Sequence, residues 1–259
     1  MSNFPVNHTL GFGEEKALST RKSAILGQQA FTPDGRTFRY ALNSTAATLA
    51  AGVVVQSAVQ TQSSIYADAL QAALANGVGA TIATGITTIA LTTVGNSAVD
   101  ANFFQDGYLY VKVGPGAGAY AIKQHTSASS ATGMNIELYA GDKIDRVAHT
   151  TATRYALQKN LYSDVVVAPV AATGTPLGIA QTSVPASNFF WLQTGGPAPT
   201  QTSGGVVIPS DRYVLSTATA GSIIGATTAD PDQLRATIGY GIHINATSAL
   251  IDMIYLTLD

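Results

Sequence analysis

Residues 184–197 read Val-Pro-Ala-Ser-Asn-Phe-Phe-Trp-Leu-Gln-Thr-Gly-Gly-Pro, and the rest of the chain is organised around this stretch. It places Trp191, the only tryptophan, directly after Phe189 and Phe190. Consecutive large aromatic residues favour a strand, and Gly-Gly-Pro is typical of an abrupt turn. The sequence therefore predicts a strand that ends in a turn at residues 195–197.

The aromatic cluster has two interpretations, core and contact surface. Large aromatic side chains dominate core burial, whereas a turn without side chains permits another backbone to approach closely. In a strand Phe189 and Trp191 share one face and Phe190 takes the other. We predict that Phe189 and Trp191 are core residues. A second prediction places Phe190, or the turn of Gly195, Gly196 and Pro197, near a capsid or subunit contact.

Three glycine-bearing elements follow this stretch in order, at residues 204–209, 213–221 and 238–242. The order of strands and turns resembles that of the head decoration, or capsid cement, proteins of tailed bacteriophages. The resemblance covers the C-terminal part of the chain from residue 155, with a second patch at residues 33–40. It rests on a pattern of strands and turns, and it includes no catalytic residue.

The resemblance implies a structural virion protein. Such a protein binds the outer surface of a phage capsid and stabilises contacts between subunits of the major capsid protein. The implied partners are the major capsid protein and further copies of this chain, in a homotrimer. The implied location is the capsid exterior, after synthesis in the host cytoplasm. A tail-fibre or receptor-binding adhesin is the alternative, and a glycan-active enzyme on a β scaffold is a third hypothesis.

The composition favours a folded protein with a weakly charged surface. Hydrophobic residues make up 46% of the 259 residues, which is enough for a substantial core. Only 11% are charged, less than half the average of about 25%. Few charges oppose association, so we expect much of the surface to be buried in an assembly. The net charge of −2 predicts no nucleic-acid partner.

Other absences shape the remaining expectations. Cysteine is absent, which excludes disulfides and thiolate metal sites. The first residues lack the charge and apolar core of a secretory signal, and no run of about 18 apolar residues is present. We therefore expect no membrane partner and a cytoplasmic product that later joins a particle.

Residues 1–40 are predicted to form an extended basic arm. Five basic residues, against three acidic ones, lie among glycines and prolines that interrupt any periodic pattern. An ordinary solvated terminus is one interpretation, and an arm that orders on a neighbouring subunit is the other. Arginine can pair bidentately with carboxylates. The predicted electrostatic contacts of the arm are Arg21, Lys22, Arg36 and Arg39.

The remainder is predicted as two β domains, at residues 41–160 and 161–259. In the first, residues 108–113 and 120–125 form a hairpin around a glycine-rich turn, residues 134–139 return as a strand, and a helix lies near residues 64–76. In the second, the Asp-Pro-Asp-Gln sequence at 230–233 predicts a short helix before a closing hairpin. The fold class is mainly β, with antiparallel barrel or sandwich modules, one or two short helices and an extended arm.

No chemical site emerges from the motifs. The four histidines, His8, His125, His149 and His243, are far apart and have no metal-ligand spacing. Neither a phosphate-binding loop nor a nucleophile elbow is present. Asp142 and Asp145 leave a calcium site open, but its other oxygen ligands are not visible. We therefore predict no catalytic, cofactor-binding or metal site and no enzymatic activity.

Overall fold

A computed structural model gives the fold of the chain. It describes residues 8–59, 75–76, 82–92, 98–115, 118–129, 133–144, 147–150, 153–171, 173–203, 208–226, 235–243 and 251–259. Strands dominate these ranges, and their one helix is a 3-10 turn at Glu14–Lys16. No helix in them is long and apolar enough to cross a membrane. The predicted mainly β fold class is therefore confirmed.

The strands are numbered in chain order. They are β1 His8–Thr9, β2 Gln29–Phe31, β3 Thr37–Leu42, β4 Val54–Gln56, β5 Ala75–Asn76, β6 Thr88–Thr92, β7 Tyr108–Val113, β8 Ala119–His125, β9 Gly133–Leu138, β10 Arg154–Gln158, β11 Val166–Val167, β12 Pro176–Ala180, β13 Phe189–Gln201, β14 Arg212–Leu215, β15 Ile223–Gly225, β16 Thr237–Gly241 and β17 Ile251–Thr257.

The chain divides into two compact units. The larger unit combines Met1–Val59 with Leu161–Asp259, and the smaller unit is Gln60–Asn160. The predicted boundary at residues 40 and 41 is therefore wrong, because the strands before residue 59 pair with strands after residue 161. The smaller unit is inserted in sequence between the two segments of the larger one.

Eleven strands form the sheet of the larger unit. Its main path runs β1-β2-β3-β13-β17-β16-β14-β15, and β12, β4 and β11 are attached through β13. The pairing of β1 with β2 is parallel, whereas the other named pairs are antiparallel. Strand β13 carries the aromatic stretch and pairs with β3, β12 and β17. The aromatic stretch thus lies on the strand that joins the parts of the sheet.

The N-terminal segment belongs to this sheet. Residues 29–31 and 37–42 are strands β2 and β3, and β3 pairs with β13. Leu10, Leu26 and Ala30 are buried in one cluster with the aromatic residues of β3 and β13. The predicted extended arm over residues 1–40 is therefore wrong for residues 8–40, because their apolar side chains complete a core.

The smaller unit is built from strands β5 to β10. Their pairing runs β10-β5-β6-β9-β8-β7 and returns from β7 to β10, so the strands form a closed antiparallel ring. The link between β10 and β5 is a single residue pair. The ring encloses its own apolar core around Phe104, Leu109 and Tyr155. The predicted hairpin of residues 108–113 and 120–125 is confirmed as β7 and β8.

The predicted helices fall mostly outside the described residues. Residues 60–74 and 227–234 are outside them, so the helix near 64–76 and the helix at 230–233 stay predictions. The end of the first one is corrected, because residues 75 and 76 form strand β5. The closing hairpin is confirmed in its pairing of β16 with β17, while its turn lies outside the described ranges.

Candidate functional site

Strand β13 continues through the Gly-Gly-Pro sequence that predicted a turn. It pairs with β3 up to Gly195 and with β17 from Gly195 onward. A register shift between Gln193 and Gly195 marks the change of partner, as expected for a bulge that bends a strand. Pro197 and Pro199 have no amide hydrogen, so β13 donates no ladder hydrogen bond on its β3 side at these positions. The predicted turn is wrong because this sequence exchanges one strand partner for another.

The two glycines of this sequence are structural residues of the larger unit. Gly196 has a φ of +84°, which favours glycine, and a Cβ atom there would lie 3.3 Å from the Cα of Arg36. A Cβ on Gly195 would lie 3.2 Å from the Thr37 side chain. Both glycines are buried. The close backbone approach expected from a partner is made by the chain's own β3 region, so the predicted contact at Gly195 and Gly196 is replaced by an internal one.

The three aromatic residues divide between two cores. Trp191 is buried beside Tyr40, with ring centroids 5.0 Å apart, so its assignment to the core is confirmed. Phe190 is 2% exposed and packs in the other cluster, with Leu49 and Leu192. Phe189 is partly buried against the Trp191 cluster. The predicted contact at Phe190 is therefore wrong, because apolar side chains cover both faces of this half of β13.

An exposed apolar surface lies on the other half of β13 and on its neighbours β17 and β16. Direct cross-strand partners in antiparallel strands share one face. Pro197 pairs with Tyr255, which also pairs with Tyr240, and Pro199 pairs with Met253. Alternate residues along each strand extend the same face. The residues of this apolar face are Pro197, Pro199, Tyr240, Ile242, Ile251, Met253 and Tyr255.

The opposite side of these strands is an ordinary core. Ala198, Ile254 and Leu256 are at most 1% exposed and pack with Ile238 in one cluster. In contrast, Tyr255 is 49% exposed and Ile251 50%. Antiparallel sheets with one solvated side normally place polar residues there. The strands are thus apolar on both faces, and core packing accounts for only one of them.

Charged groups border the apolar face. Beyond the end of β17, Asp259 accepts hydrogen bonds from Arg39, with the shortest at 2.8 Å, and from Thr194 at 2.7 Å. On the other side, Arg212 lies opposite Tyr240 in the β14–β16 pairing. An apolar centre with a polar rim is the usual composition of a protein contact surface.

Of the basic residues predicted to contact a partner, two form ion pairs within the chain. Arg36 pairs with Asp34 at 2.8 Å and with the buried Glu15 at 3.4 Å, so its charge is used within the chain. Arg39 pairs with Asp259 in the same way. Arg21 is exposed and Lys22 is half-buried. Among the predicted contact residues, Pro197 lies on the apolar face and Arg39 at its border.

The Arg39–Asp259 pair predicts a pH dependence of stability. Burial alone raises the pKa of Asp259, but hydrogen bonds from Arg39 and Thr194 outweigh it and hold the pKa below its ordinary value of 3.8. Because the pKa is lower in the folded state than in the unfolded state, the ionised carboxylate stabilises the fold at pH values above the ordinary pKa. This contribution to stability is lost as the pH falls through the pKa of the folded state. Asp259→Asn removes it.

We therefore expect the melting temperature of the wild type to fall more steeply than that of Asp259→Asn as the pH drops from 5 to 2, where roughly the ordinary Asp titration lies. Thermal melts of both proteins across this range measure the difference. Other carboxylates with lowered pKa values, such as Asp34, are common to both proteins and cancel. Parallel curves would show that the ion pair contributes nothing to folding.

The sequence contained a signal for the apolar face. The segment 251–257 reads Ile-Asp-Met-Ile-Tyr-Leu-Thr, and its burial alternates strictly between exposed and buried. Ile, Met and Tyr occupy positions that alternation assigns to one face, and Asp252 falls on the other. Asp252 is buried in the structure and lies 2.6 Å from His243. One face of this strand was thus readable as free of charge, but a single strand does not reveal which of its two faces is exposed to solvent.

No metal-binding group is found within the described ranges. The histidines do not converge: His8 stacks on Trp191, and His149 is hydrogen-bonded to Tyr155 at 2.7 Å. No cluster of three or more potential metal ligands occurs in the part of the chain that the structure describes.

No protein-family model, curated protein or solved structure matches the chain.

Proposed function

We propose that this chain is a structural virion protein that binds the outer surface of a phage capsid and stabilises contacts between major capsid protein subunits. The observation that carries the proposal is the apolar face of β13, β17 and β16. Exposed contiguous apolar patches on a folded protein mark contact sites. The resemblance of the C-terminal strand order to head decoration proteins supports the same assignment.

The chemistry of the face favours a protein partner with a similarly uncharged surface. Its seven residues include no charged side chain, and the charges of Arg39, Asp259 and Arg212 lie at its border. Burying this face against another protein removes apolar area from water and leaves no charge without a partner. A highly charged partner such as a nucleic acid gains nothing from it.

The size of the face favours attachment at many points. Five of its side chains are 39–50% exposed, which amounts to roughly 400 Å² of apolar area if a large aromatic side chain offers about 150–250 Å². A stable isolated pair buries about 800 Å² on each partner. One such contact is therefore weak, and binding becomes strong when several copies attach together. A capsid presents the repeated sites that this requires, and a homotrimer of this chain presents three matching faces.

The low charge content supports an assembled protein. Only 11% of the residues are charged in the whole chain, and the net charge is −2. Surfaces with so little charge repel one another weakly, which favours close association in a particle.

Tyr255→Glu tests the proposal against a matched control. The variant places a carboxylate in the centre of the apolar face, and Tyr108→Glu places one at an equally exposed tyrosine of the smaller unit, since both are 49% exposed. Binding to purified, expanded phage heads is measured by co-sedimentation. We expect Tyr255→Glu to weaken binding by at least about tenfold, because about 100 Å² of apolar contact corresponds to about 2.5 kcal/mol.

Tyr108→Glu is expected to bind heads as the wild type does. Both substituted side chains project into solvent, so both variants should keep the wild-type melting temperature. Equal binding by the two variants would remove the apolar face from the attachment site. If the wild-type protein does not bind heads but binds host cells, the alternative function, a tail-fibre or receptor-binding adhesin, is favoured.

A further inference from the structure

A second candidate site is an open polar cavity at the surface of the smaller unit, and most of its lining side chains are exposed. Its volume is about 330 Å³, which lies at the lower end of the range for small-molecule sites, about 300–1,000 Å³. His125 forms part of its wall. The other lining residues are Thr88, Asn102, Gln124, Thr126, Asn135 and Glu137.

The ring of strands places these side chains together. Glu137 on β9 lies between Thr88 on β6 and Gln124 on β8, as a direct cross-strand partner of both. Partners in such a row share one face of the sheet. Asn102 joins them from a turn, where it has a φ of +63° and its Oδ1 accepts a hydrogen bond from the His125 amide. The cavity is therefore held by strand pairing and by a side-chain hydrogen bond.

His125 is a fixed wall of the cavity. Its Nε2 accepts a hydrogen bond from the Phe104 amide at 2.9 Å, and Nδ1 lies 2.8 Å from the carbonyl of Thr126, to which it donates. Burial lowers the pKa of His125, and the hydrogen bond to Thr126 opposes this shift only in part. Both ring nitrogens are thus engaged by the backbone. This histidine has no lone pair left for a metal ion or for proton transfer.

The charge in the cavity is compensated. Glu137 pairs with Lys123 at 2.6 Å, and hydrogen bonds from Lys123 and Gln124 hold the pKa of Glu137 below its ordinary value. The carboxylate is therefore ionised at neutral pH, with a cation beside it. It is the one carboxylate among the lining residues, whereas a calcium site needs six to eight oxygen ligands and several carboxylates. A neutral ligand fits this balance of charge.

The cavity retains unused donors and acceptors. The side-chain amide of Asn135 and the Nδ2 of Asn102 have no hydrogen-bond partner among the described residues, and the same holds for the Thr88 hydroxyl. An amide supplies both donors and an acceptor, and an ionised carboxylate supplies acceptors only. A ligand that complements this set has groups that donate and accept at once and are close together. Hydroxyl groups on neighbouring carbons of a sugar ring have this property.

We infer that this cavity binds a neutral carbohydrate. Sugar hydroxyls donate to the Glu137 carboxylate and to the Gln124 carbonyl, and they accept from the amides of Asn102 and Asn135. The site would let the protein hold a cell-surface or capsule glycan through the smaller unit. The inference does not rest on capsid attachment, because the apolar face belongs to the larger unit.

The test uses the whole chain and a panel of immobilised neutral mono- and oligosaccharides, including hexoses and N-acetylhexosamines. We expect binding of at least one of them, with a loss of at least tenfold in Asn135→Ala and in Glu137→Gln. Asn188→Ala, which removes an amide of the larger unit, is the matched control and should bind as the wild type does. Saturation by the free sugar in solution checks that binding is specific.

Several outcomes would overturn the inference. These are no binding to the panel at millimolar sugar, binding that survives both cavity variants, and selective capture of peptides in place of sugars. The two proposals fail separately. Tyr255→Glu should still bind sugars but bind phage heads weakly. Asn135→Ala should still bind phage heads but bind sugars weakly. A melting temperature equal to that of the wild type for each variant ensures that lost binding reports on the site.

Discussion

Deletion of residues 2–31 is expected to prevent the larger unit from folding. The deletion removes strands β1 and β2 and the buried side chains Leu10, Leu26 and Ala30. Each lost leucine corresponds to about 2–5 kcal/mol, and domains are stable by only about 5–15 kcal/mol. It also exposes Phe38 and the unpaired edge of β3, which invites aggregation.

Urea unfolding followed by tryptophan fluorescence measures this result directly, because Trp191 is the only tryptophan and lies in the affected cluster. The truncated protein should show the emission of a solvated indole without urea and no cooperative transition from the larger unit. Leu26→Ala provides a milder version, with a loss of about 2–5 kcal/mol. A truncated chain with the wild-type midpoint would contradict the packing of Leu10, Leu26 and Ala30 in the core.

Trp191→Ala has the second largest expected effect, a loss of about 3–5 kcal/mol in the free energy of unfolding. The indole is 8% exposed, stacks on His8 with ring centroids 5.4 Å apart and meets the edge of Tyr40 at 5.0 Å. Its removal leaves a cavity between β1, β3 and β13 that rigid strands cannot close. Chemical denaturation monitored by circular dichroism measures the loss.

Trp191→Phe is the matched control, because it keeps an aromatic ring at the position and should lose clearly less stability than Trp191→Ala. Phe189→Ala should also cost less, since Phe189 is only partly buried. A loss below about 1 kcal/mol for Trp191→Ala would place the indole outside the core, because core truncations of this size do not cost so little.

Local sequence patterns predicted the fold class and several pairings correctly. The hairpin of β7 and β8 and the pairing of β16 with β17 were readable because their partners are close in sequence and strand patterns with turn residues flank them. Trp191 was readable as a core residue because large aromatic side chains in strands are usually buried. These inferences need only the period of two along a strand.

The Gly-Gly-Pro sequence shows where local rules fail. Gly195, Gly196 and Pro197 satisfy the description of a turn, yet they lie within a strand of 13 residues. The determinant is strand β17, which pairs with this segment although it lies more than fifty residues further along the chain. Local propensity is overridden by such long-range pairing.

The prediction for the N-terminal segment was wrong for a related reason. Its glycines, prolines and basic residues suggested an extended arm, but Leu10, Leu26 and Phe38 each contribute to one core cluster from separate short elements. No periodic run joins these residues in the sequence, so neither helix nor strand periodicity detects them. Arg36 and Arg39 likewise found carboxylates within the chain, at Asp34, Glu15 and Asp259. The pairing to Asp259 spans the chain and has no local signal.

We propose that this chain attaches to the outside of a phage capsid. A cryo-EM map of phage heads incubated with the purified wild-type protein tests it most directly. The account predicts additional density on the outer surface of the shell, over joints between major capsid protein subunits, with the apolar face of β13, β17 and β16 against the shell. Heads that remain bare under saturating protein, or density in which this face points to solvent, would contradict the account.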